Sequence, residues 1–146
     1  MAYEFKAIRR VEFADTDMAG IMHFSNFFRF METAEHGFFR SLGLSIFMDK
    51  AHPEVGWPRV HAECNFHAPL SFDDQVEVHL LVSAKKSKAL SYIFHFRKLN
   101  ADPPLQVARG SITVVCVTQQ GGTMSACSIP PAIADKIQVA PEDLLR

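Results

Sequence analysis

The sequence predicts an α+β domain in which one long helix packs against an antiparallel sheet of about five strands. Two observations carry this prediction: residues 25–43 show the apolar spacing of one helical face, and residues 76–97 alternate with a period of two. A chain of 146 residues is the size of one domain, and no repeat or Ser/Gly linker divides it. We therefore expect a single domain over residues 1–146 with a two-layer arrangement.

The first element is a strand over residues 4–13, which mix β-forming and charged residues. Asp15, Asp17 and Gly20 then break it, because short polar side chains and glycine favour turns. The turn directly precedes the helix.

The helix is predicted to begin at Ser25, a favourable N-cap residue, and to end at Gly43, a favourable C-terminal stop. Phe28 and Phe39 lie off its main apolar stripe, so we expect the helix to be covered on more than one side. The stripe consists of Phe27, Phe30, Met31, Ala34, Phe38 and Leu42.

Four further strands are predicted, over residues 59–67, 76–82, 90–97 and 106–118, and we expect them to pair as a meander. The middle two flank AKKSK and form a hairpin. Residues 45–57, which contain Pro53 and Gly56, are predicted to be irregular, and the proline-containing tail holds at most one short helical piece. Such a sheet covers one flank of the helix and leaves unpaired edges, which favours a dimer.

Composition excludes several classes of protein. Hydrophobic residues make up 48% of the chain and charged residues 21%, typical of a protein with a packed core. The formal charge of −1 gives no basis for binding a phosphate backbone, so nucleic acid is not expected as a partner. The N-terminus lacks the apolar run of a secretory signal, and no window is apolar enough for a membrane span, which favours a soluble cytoplasmic protein.

The three cysteines, Cys64, Cys116 and Cys127, are odd in number and show no C-x-x-C spacing. They therefore predict neither a metal site nor a disulfide framework, and buried thiols are the expected reading.

The turn before the helix contains the best candidates for a catalytic site. A helix N-terminus presents unpaired N–H groups and a partial positive charge, which can polarise a carbonyl. A carboxylate is ionised at neutral pH and can act as a nucleophile or a general base. Together, Asp17 and the helix end would make an acyl-transfer site, although local bonding to the backbone is the commoner role of an aspartate in a turn.

The run FADTDMAGIMHFSNFFRFMETAEHGFFRSLGL resembles the opening of hotdog-fold acyl-CoA thioesterases of the 4-hydroxybenzoyl-CoA thioesterase family, in which a D-x-D-x-x-G turn leads into the central helix. The resemblance continues more weakly through RVHAECNFHAPLSFDD. The matching residues are Asp15, Asp17, Gly20, Asn26, Glu32 and the SLG at 41–43.

The resemblance implies an acyl-CoA substrate, no cofactor and no metal, and a homodimer or homotetramer. It makes Asp17 the catalytic carboxylate and the backbone N–H of Phe24 the group that polarises the thioester carbonyl. Gly20 and Asn26 become candidate substrate-binding residues. His23 is also a candidate, but many relatives read Y-H-A-N where this chain reads HFSN, so the role of their histidine cannot be transferred to it.

The stretch PRVHAECNFHAP resembles a branch of the family that acts on 1,4-dihydroxy-2-naphthoyl-CoA, which favours an aromatic acyl group. His61 would then help to hold a polar acyl group, although a strand histidine more often points into the core or solvent. Helix aromatics such as Phe27 and Phe28 would line its pocket, although such residues more often belong to the core. Candidates for the coenzyme A phosphates are Arg59, Lys85, Lys86, Lys88 and Arg97.

Two other functions stay open at this stage. Hotdog proteins also include hydratases and dehydratases, which usually pair a histidine with an acid. A non-catalytic acyl-CoA-binding module is the other alternative. The sequence also leaves open whether Asp17 attacks the carbonyl or activates water.

Overall fold

The computed structural model describes residues 1–46 and 55–146. Two 3₁₀ turns, at Phe13–Asp15 and Glu142–Leu145, supplement the helices and strands. In chain order these are β1 (Glu4–Arg10), α1 (Ser25–Ser41), β2 (Val55–Gly56), β3 (Arg59–Phe66), β4 (Gln75–Lys85), β5 (Ala89–Lys98), β6 (Leu105–Val115), β7 (Val117–Gln120), β8 (Thr123–Ala126) and α2 (Pro131–Ala134). The predicted α+β class is confirmed.

The main sheet has five antiparallel strands in the order β1-β4-β5-β6-β3. The predicted hairpin of β4 and β5 is confirmed, but the four-strand meander is wrong, because β3 pairs with β6 at the far edge. The reason lies in the chain after β3. Its residues Asp73 and Asp74 exchange backbone hydrogen bonds of 2.8 Å with Val11, next to β1, so β4 starts beside β1.

A second sheet, with the order β2-β7-β8, is absent from the sequence-based prediction. The single strand predicted over residues 106–118 is interrupted at Cys116, whose N–H donates to the carbonyl of Lys88 at 2.7 Å. The irregular stretch predicted at 45–57, with its Pro53, falls partly on residues 47–54, which lie outside the described residues, and Val55 and Gly56 within it form β2.

Helix α1 lies where the apolar stripe places it, and Gly43 follows its end with a φ of +75°, which glycine adopts without strain. The predicted N-cap is wrong by one residue: Ser25 is the first helical residue and Phe24 holds the cap position. The Ser25 hydroxyl instead lies 2.8 Å from Nδ1 of His23.

The core lies between α1 and the inner face of the sheet. The alternating aromatic residues Tyr92, Phe94 and Phe96 of β5 are fully buried, as their period of two predicts. Phe39, which lies off the main stripe, packs edge-on against Trp57 at 5.7 Å, so a second side of α1 is covered. Of the described residues, none belongs to a helix long and apolar enough to cross a membrane.

One charge is buried in this core. Glu35, in the middle of α1, has no exposed surface, and the guanidinium of Arg59 at the start of β3 donates to its Oε1 and to the carbonyl of Trp57. Burial raises the pKa of Glu35, while attraction to Arg59 acts in the opposite direction. The pair therefore ties α1 to the first residue of β3.

We expect Arg59→Met to lower the free energy of unfolding by about 3–5 kcal/mol at neutral pH, because it leaves a buried carboxylate unpaired. A carboxyl whose folded pKa is raised stabilises most below its unfolded value, near 4.5, and that contribution disappears as the pH rises through the folded pKa. The loss in Arg59→Met should therefore shrink toward pH 4.5. Denaturant unfolding across this range measures it.

The control is Arg10→Met, which breaks the exposed 3.2 Å pair with Asp73 and should cost less than about 1 kcal/mol. Adding Glu35→Gln to Arg59→Met should recover most of the lost stability. A pH-independent loss in Arg59→Met, or no recovery in the double variant, would contradict this account of the pair.

Candidate active site

The turn between β1 and α1 is organised around Asp15, which is buried. Its Oδ2 accepts the N–H of Glu12 at 2.9 Å, and its main-chain carbonyl accepts both the His23 N–H and the Asn26 Nδ2 at 2.8 Å. Asp15 and Asn26 thus join the two ends of the turn. Their contacts are structural, as expected of buried polar groups that must be paired.

Asp17 lies two residues further along, and its side chain is exposed. Its Oδ1 accepts the Ala19 N–H at 2.8 Å, and its backbone bonds to Gly20 and Ile21 at 3.0 Å each close the turn. Gly20 has a φ of +81°, a conformation that side chains rarely adopt, so its role is to let the chain reverse. The turn therefore holds the Asp17 carboxylate at a fixed place before the helix.

The helix entrance offers one free amide. The N–H groups of His23 and Asn26 are bonded to Asp15 and His23 carbonyls, whereas no hydrogen bond of the described residues engages the Phe24 N–H. At the N-cap position this amide carries the partial positive charge of the helix end. It is suited to stabilise an oxygen that becomes negative during a reaction.

His23 lies at the same helix entrance and contacts its first residues. Its Nδ1 accepts the Ser25 N–H at 3.2 Å, and its ring stacks on Phe24 with centroids 4.6 Å apart. The imidazole thus replaces the side-chain cap that Ser25 was predicted to supply.

A cavity of about 440 Å³ adjoins this turn and the helix entrance. Asp17 and Phe24, both predicted as catalytic, and Phe27, predicted to line the acyl pocket, all border it. The remaining lining residues are Ile21, Met22, Phe66, His67, Ala68, Pro69 and Leu70. A carboxylate and a free amide at one apolar cleft can hold a thioester between them.

The segment at 66–70 is the part of the site that sequence reasoning missed. It follows β3, and the N–H of Met22 donates to the carbonyl of Leu70 at 2.7 Å, while Ile21 forms a bridge with Ser71. These bonds fix the segment across from the Asp17 turn. A histidine at the end of the predicted strand over residues 59–67, followed by Pro69, was the available signal, but nothing in the sequence shows which turn these residues face.

The other predicted residues lie away from the cavity. Gly20, His23 and Asn26 shape the turn and the helix entrance, as described above. On β3, His61 lies 3.5 Å from Glu63, and Arg59 is committed to Glu35. Their roles in substrate binding stay predictions.

The candidates for the phosphates are scattered. Lys85 donates to the carbonyls of Ala134 and Ile137 at 2.7 and 2.8 Å, and Arg97 pairs with Glu77 at 3.4 Å. Phe28 packs against the core instead of lining the cavity. In the described part of the chain, no group of three or more histidines, cysteines or acids is arranged to hold a metal ion.

The chain has the hotdog fold, one long helix on a five-stranded antiparallel sheet, and relatives with this fold are named thioesterases. The sequence profile of the thioesterase-like superfamily matches residues 11–137, and the chain belongs to that superfamily.

Three known proteins are similar to this chain over most of its length. A putative esterase of Aquifex aeolicus is 34% identical over 119 residues, covering 80% of this chain and 87% of its own. A 1,4-dihydroxy-2-naphthoyl-CoA hydrolase of Picosynechococcus is 24% identical over 142 residues, covering 97% and 96%. The structure of a gentisyl-coenzyme A thioesterase superposes with a TM-score of 0.75 at 30% identity, covering 88% of this chain and 98% of that one.

The hydrogen bond from the Asn26 side chain to the Asp15 carbonyl predicts the effect of replacing Asn26 with aspartate, which has nearly the same shape. Asn26→Asp replaces the buried Nδ2 donor with an acceptor that faces the Asp15 carbonyl, so we expect the free energy of unfolding to fall by about 1–3 kcal/mol. Gln119→Glu, the same chemical change at an exposed position, should stay within about 0.5 kcal/mol of wild type. Chemical denaturation of the two variants measures this, and equal losses would show that the bond does not hold the turn.

Proposed function

We propose that this chain is an acyl-CoA thioesterase that hydrolyses an acyl-CoA to a free acid and coenzyme A, with an aromatic acyl group favoured. The observation that supports this most directly is that the Asp17 carboxylate and the residue with the free amide, Phe24, border one cavity. Relatives named for aromatic acyl-CoA substrates support it further.

In the proposed reaction the thioester carbonyl oxygen accepts the Phe24 N–H, which stabilises the negative charge that develops when the carbonyl carbon is attacked. Asp17 either attacks that carbon, expels the coenzyme A thiolate and forms a mixed anhydride that water hydrolyses, or removes a proton from the water that attacks directly. Both routes yield one carboxylic acid and one thiol for each water consumed.

The cavity walls support the aromatic preference. Phe27 and Phe66 meet edge-on at 5.0 Å, and Phe24 and Phe66 keep 62% and 48% of their surfaces exposed. Exposed aromatic side chains around a cleft favour a flat apolar ligand, because covering them removes apolar surface from water. Pro69 and Leu70 add further apolar surface.

The proposed enzyme is a homo-oligomer that associates through β3. This eight-residue strand ends the sheet, and all its residues are exposed except the partly buried Cys64. In the described part of the chain, no strand pairs with the outer edge of β3, and Val60 on this strand is 62% exposed. Such an edge favours pairing with a second copy of the chain in a closed symmetric dimer. Because Phe66 continues directly into the cavity wall, the second copy would lie beside the cleft.

Replacing Asp17 tests the chemistry. We expect Asp17→Asn to lower thiol release from aromatic acyl-CoAs by at least about 10²–10⁴-fold, since it removes the base or nucleophile but keeps the size of the side chain. A chromogenic thiol assay measures turnover, and calorimetric binding of the same substrates shows that the site is intact. Asp135→Asn, an exposed acid at the end of α2, is the matched control.

Three results would separate the alternatives. Tight binding without turnover in the wild type would favour the non-catalytic module. Hydration of an enoyl-CoA would favour the hydratase. Turnover that is indifferent to Asp17 would remove Asp17 from the mechanism.

A charge on the β3 edge tests the oligomer. We expect Val60→Lys to dissociate the protein from a multiple of the chain mass of 16.4 kDa toward a single chain, because an edge lysine opposes strand pairing. Val139→Lys places the same charge at a valine that is 44% exposed in the C-terminal tail and should leave the mass unchanged. Sedimentation velocity measures both, and a wild type that sediments as a monomer would contradict the proposal.

A further inference from the structure

Two of the described residues that line the cavity, Asp17 and His67, have polar side chains, and the proposed reaction uses Asp17 alone. Of the ten described residues that line it, Asp17 and His67 are the two whose side chains can form hydrogen bonds through oxygen or nitrogen. The other eight are aliphatic, aromatic or sulfur-containing. His67 is thus a polar residue on an otherwise apolar wall, and the proposed hydrolysis gives it no role.

The backbone of His67 is fixed even though its side chain is exposed. The N–H groups of His67 and Ala68 both donate to the carbonyl of Val107, at 2.8 and 3.1 Å, where β3 leaves β6. Two residues further on, Leu70 accepts the Met22 N–H. The imidazole therefore projects from a short segment that is anchored to the sheet at one end and to the Asp17 turn at the other.

The His67 ring is also available. No hydrogen bond among the described residues engages it, whereas His23 is bonded to Ser25, and His61, the histidine that the sequence suggested for the acyl group, lies beside Glu63 away from the cavity. A neutral imidazole offers one donor and one acceptor, so it can pair with a hydroxyl in either direction.

We propose that His67 is the specificity-determining residue of the site and that its imidazole hydrogen-bonds a hydroxyl substituent on the ring of the acyl group. This inference rests on the proposed function. Phe24, Phe27 and Phe66 provide apolar surface for a ring, and Asp17 and the helix entrance act on the thioester. His67 contacts the part of the substrate that differs between one aromatic acyl group and another.

The test compares benzoyl-CoA with the three isomers of hydroxybenzoyl-CoA in wild type and His67→Phe, which keeps a planar ring without hydrogen-bonding atoms. Wild type should prefer at least one hydroxylated isomer. The ratio of kcat/KM for the preferred hydroxylated isomer to kcat/KM for benzoyl-CoA should fall by about three- to tenfold in the variant, because one neutral hydrogen bond in an open cleft is lost. The loss should fall on KM more than on kcat, since the hydroxyl lies away from the bond that breaks.

Two further variants sharpen this result. His67→Gln keeps a donor and an acceptor and should restore most of the preference. His36→Phe makes the same change at a partly buried position of α1, beside Glu32 and not among the residues that line the cavity, and should leave the preference unaltered. Equal losses on all four substrates in His67→Phe would show that His67 acts on the shared thioester or coenzyme A part and would overturn the proposal, as would a wild type that does not distinguish benzoyl from any hydroxybenzoyl substrate.

Binding separates this inference from the proposed function. In the Asp17→Asn background, the dissociation constants of benzoyl-CoA and the preferred hydroxybenzoyl-CoA are measured by calorimetry with and without His67→Phe. A preference that disappears with His67 supports the inference whether or not the protein hydrolyses these thioesters. A preference that survives overturns it, while failure of Asp17-dependent thiol release counts against the proposed function alone.

Discussion

The main-chain carbonyl of Asp15 accepts two hydrogen bonds, from the His23 N–H and the Asn26 side chain, and the geometry of the whole site depends on this junction. It ties the start of the turn to the first turn of the helix, so the Asp17 side chain and the Phe24 amide are fixed relative to each other before any substrate arrives. Groups that are already oriented need not be ordered during the reaction, which is where such sites gain rate. The junction also explains why one aspartate of the D-x-D pair is buried and the other exposed.

The second constraint is the buried pair of Glu35 and Arg59. Such a pair seldom adds net stability, because removing two charges from water costs about as much as their attraction returns. The pair instead fixes the position of β3 relative to α1. Arg59 is the first residue of β3, and its bond to Glu35 holds the start of this edge strand against the helix. Because Phe66 and the segment after it continue from β3, the same pair indirectly places the far wall of the cavity.

The sequence was sufficient for what local periodicity determines. The stripe from Phe27 to Leu42 predicted α1, and the alternation around Tyr92 predicted the buried face of β5. Pairing between distant strands could not be predicted, because both β4 and β6 are apolar enough to be the neighbour of β3. The bonds of Val11 with Asp73 and Asp74, which start β4 beside β1, leave no local pattern in the sequence. The same limit hid His67, whose segment is held beside the cavity by the bond between Met22 and Leu70, whereas the resemblance predicted Asp17 and Phe24 as site residues, and both border the cavity.

The two walls of the cavity have different origins, and this difference has a functional consequence. In the proposed reaction the reacting groups come from a turn whose carbonyls, amides and buried side chains are bonded to one another. The opposite wall comes from the end of an exposed edge strand, where Phe66 and His67 are held by backbone bonds while their side chains are exposed. Side chains on such a segment can change without disturbing the core. In the proposed enzyme, thioester cleavage is thus assigned to one wall and the choice of acyl group to the other, and the second wall can vary while the first stays fixed.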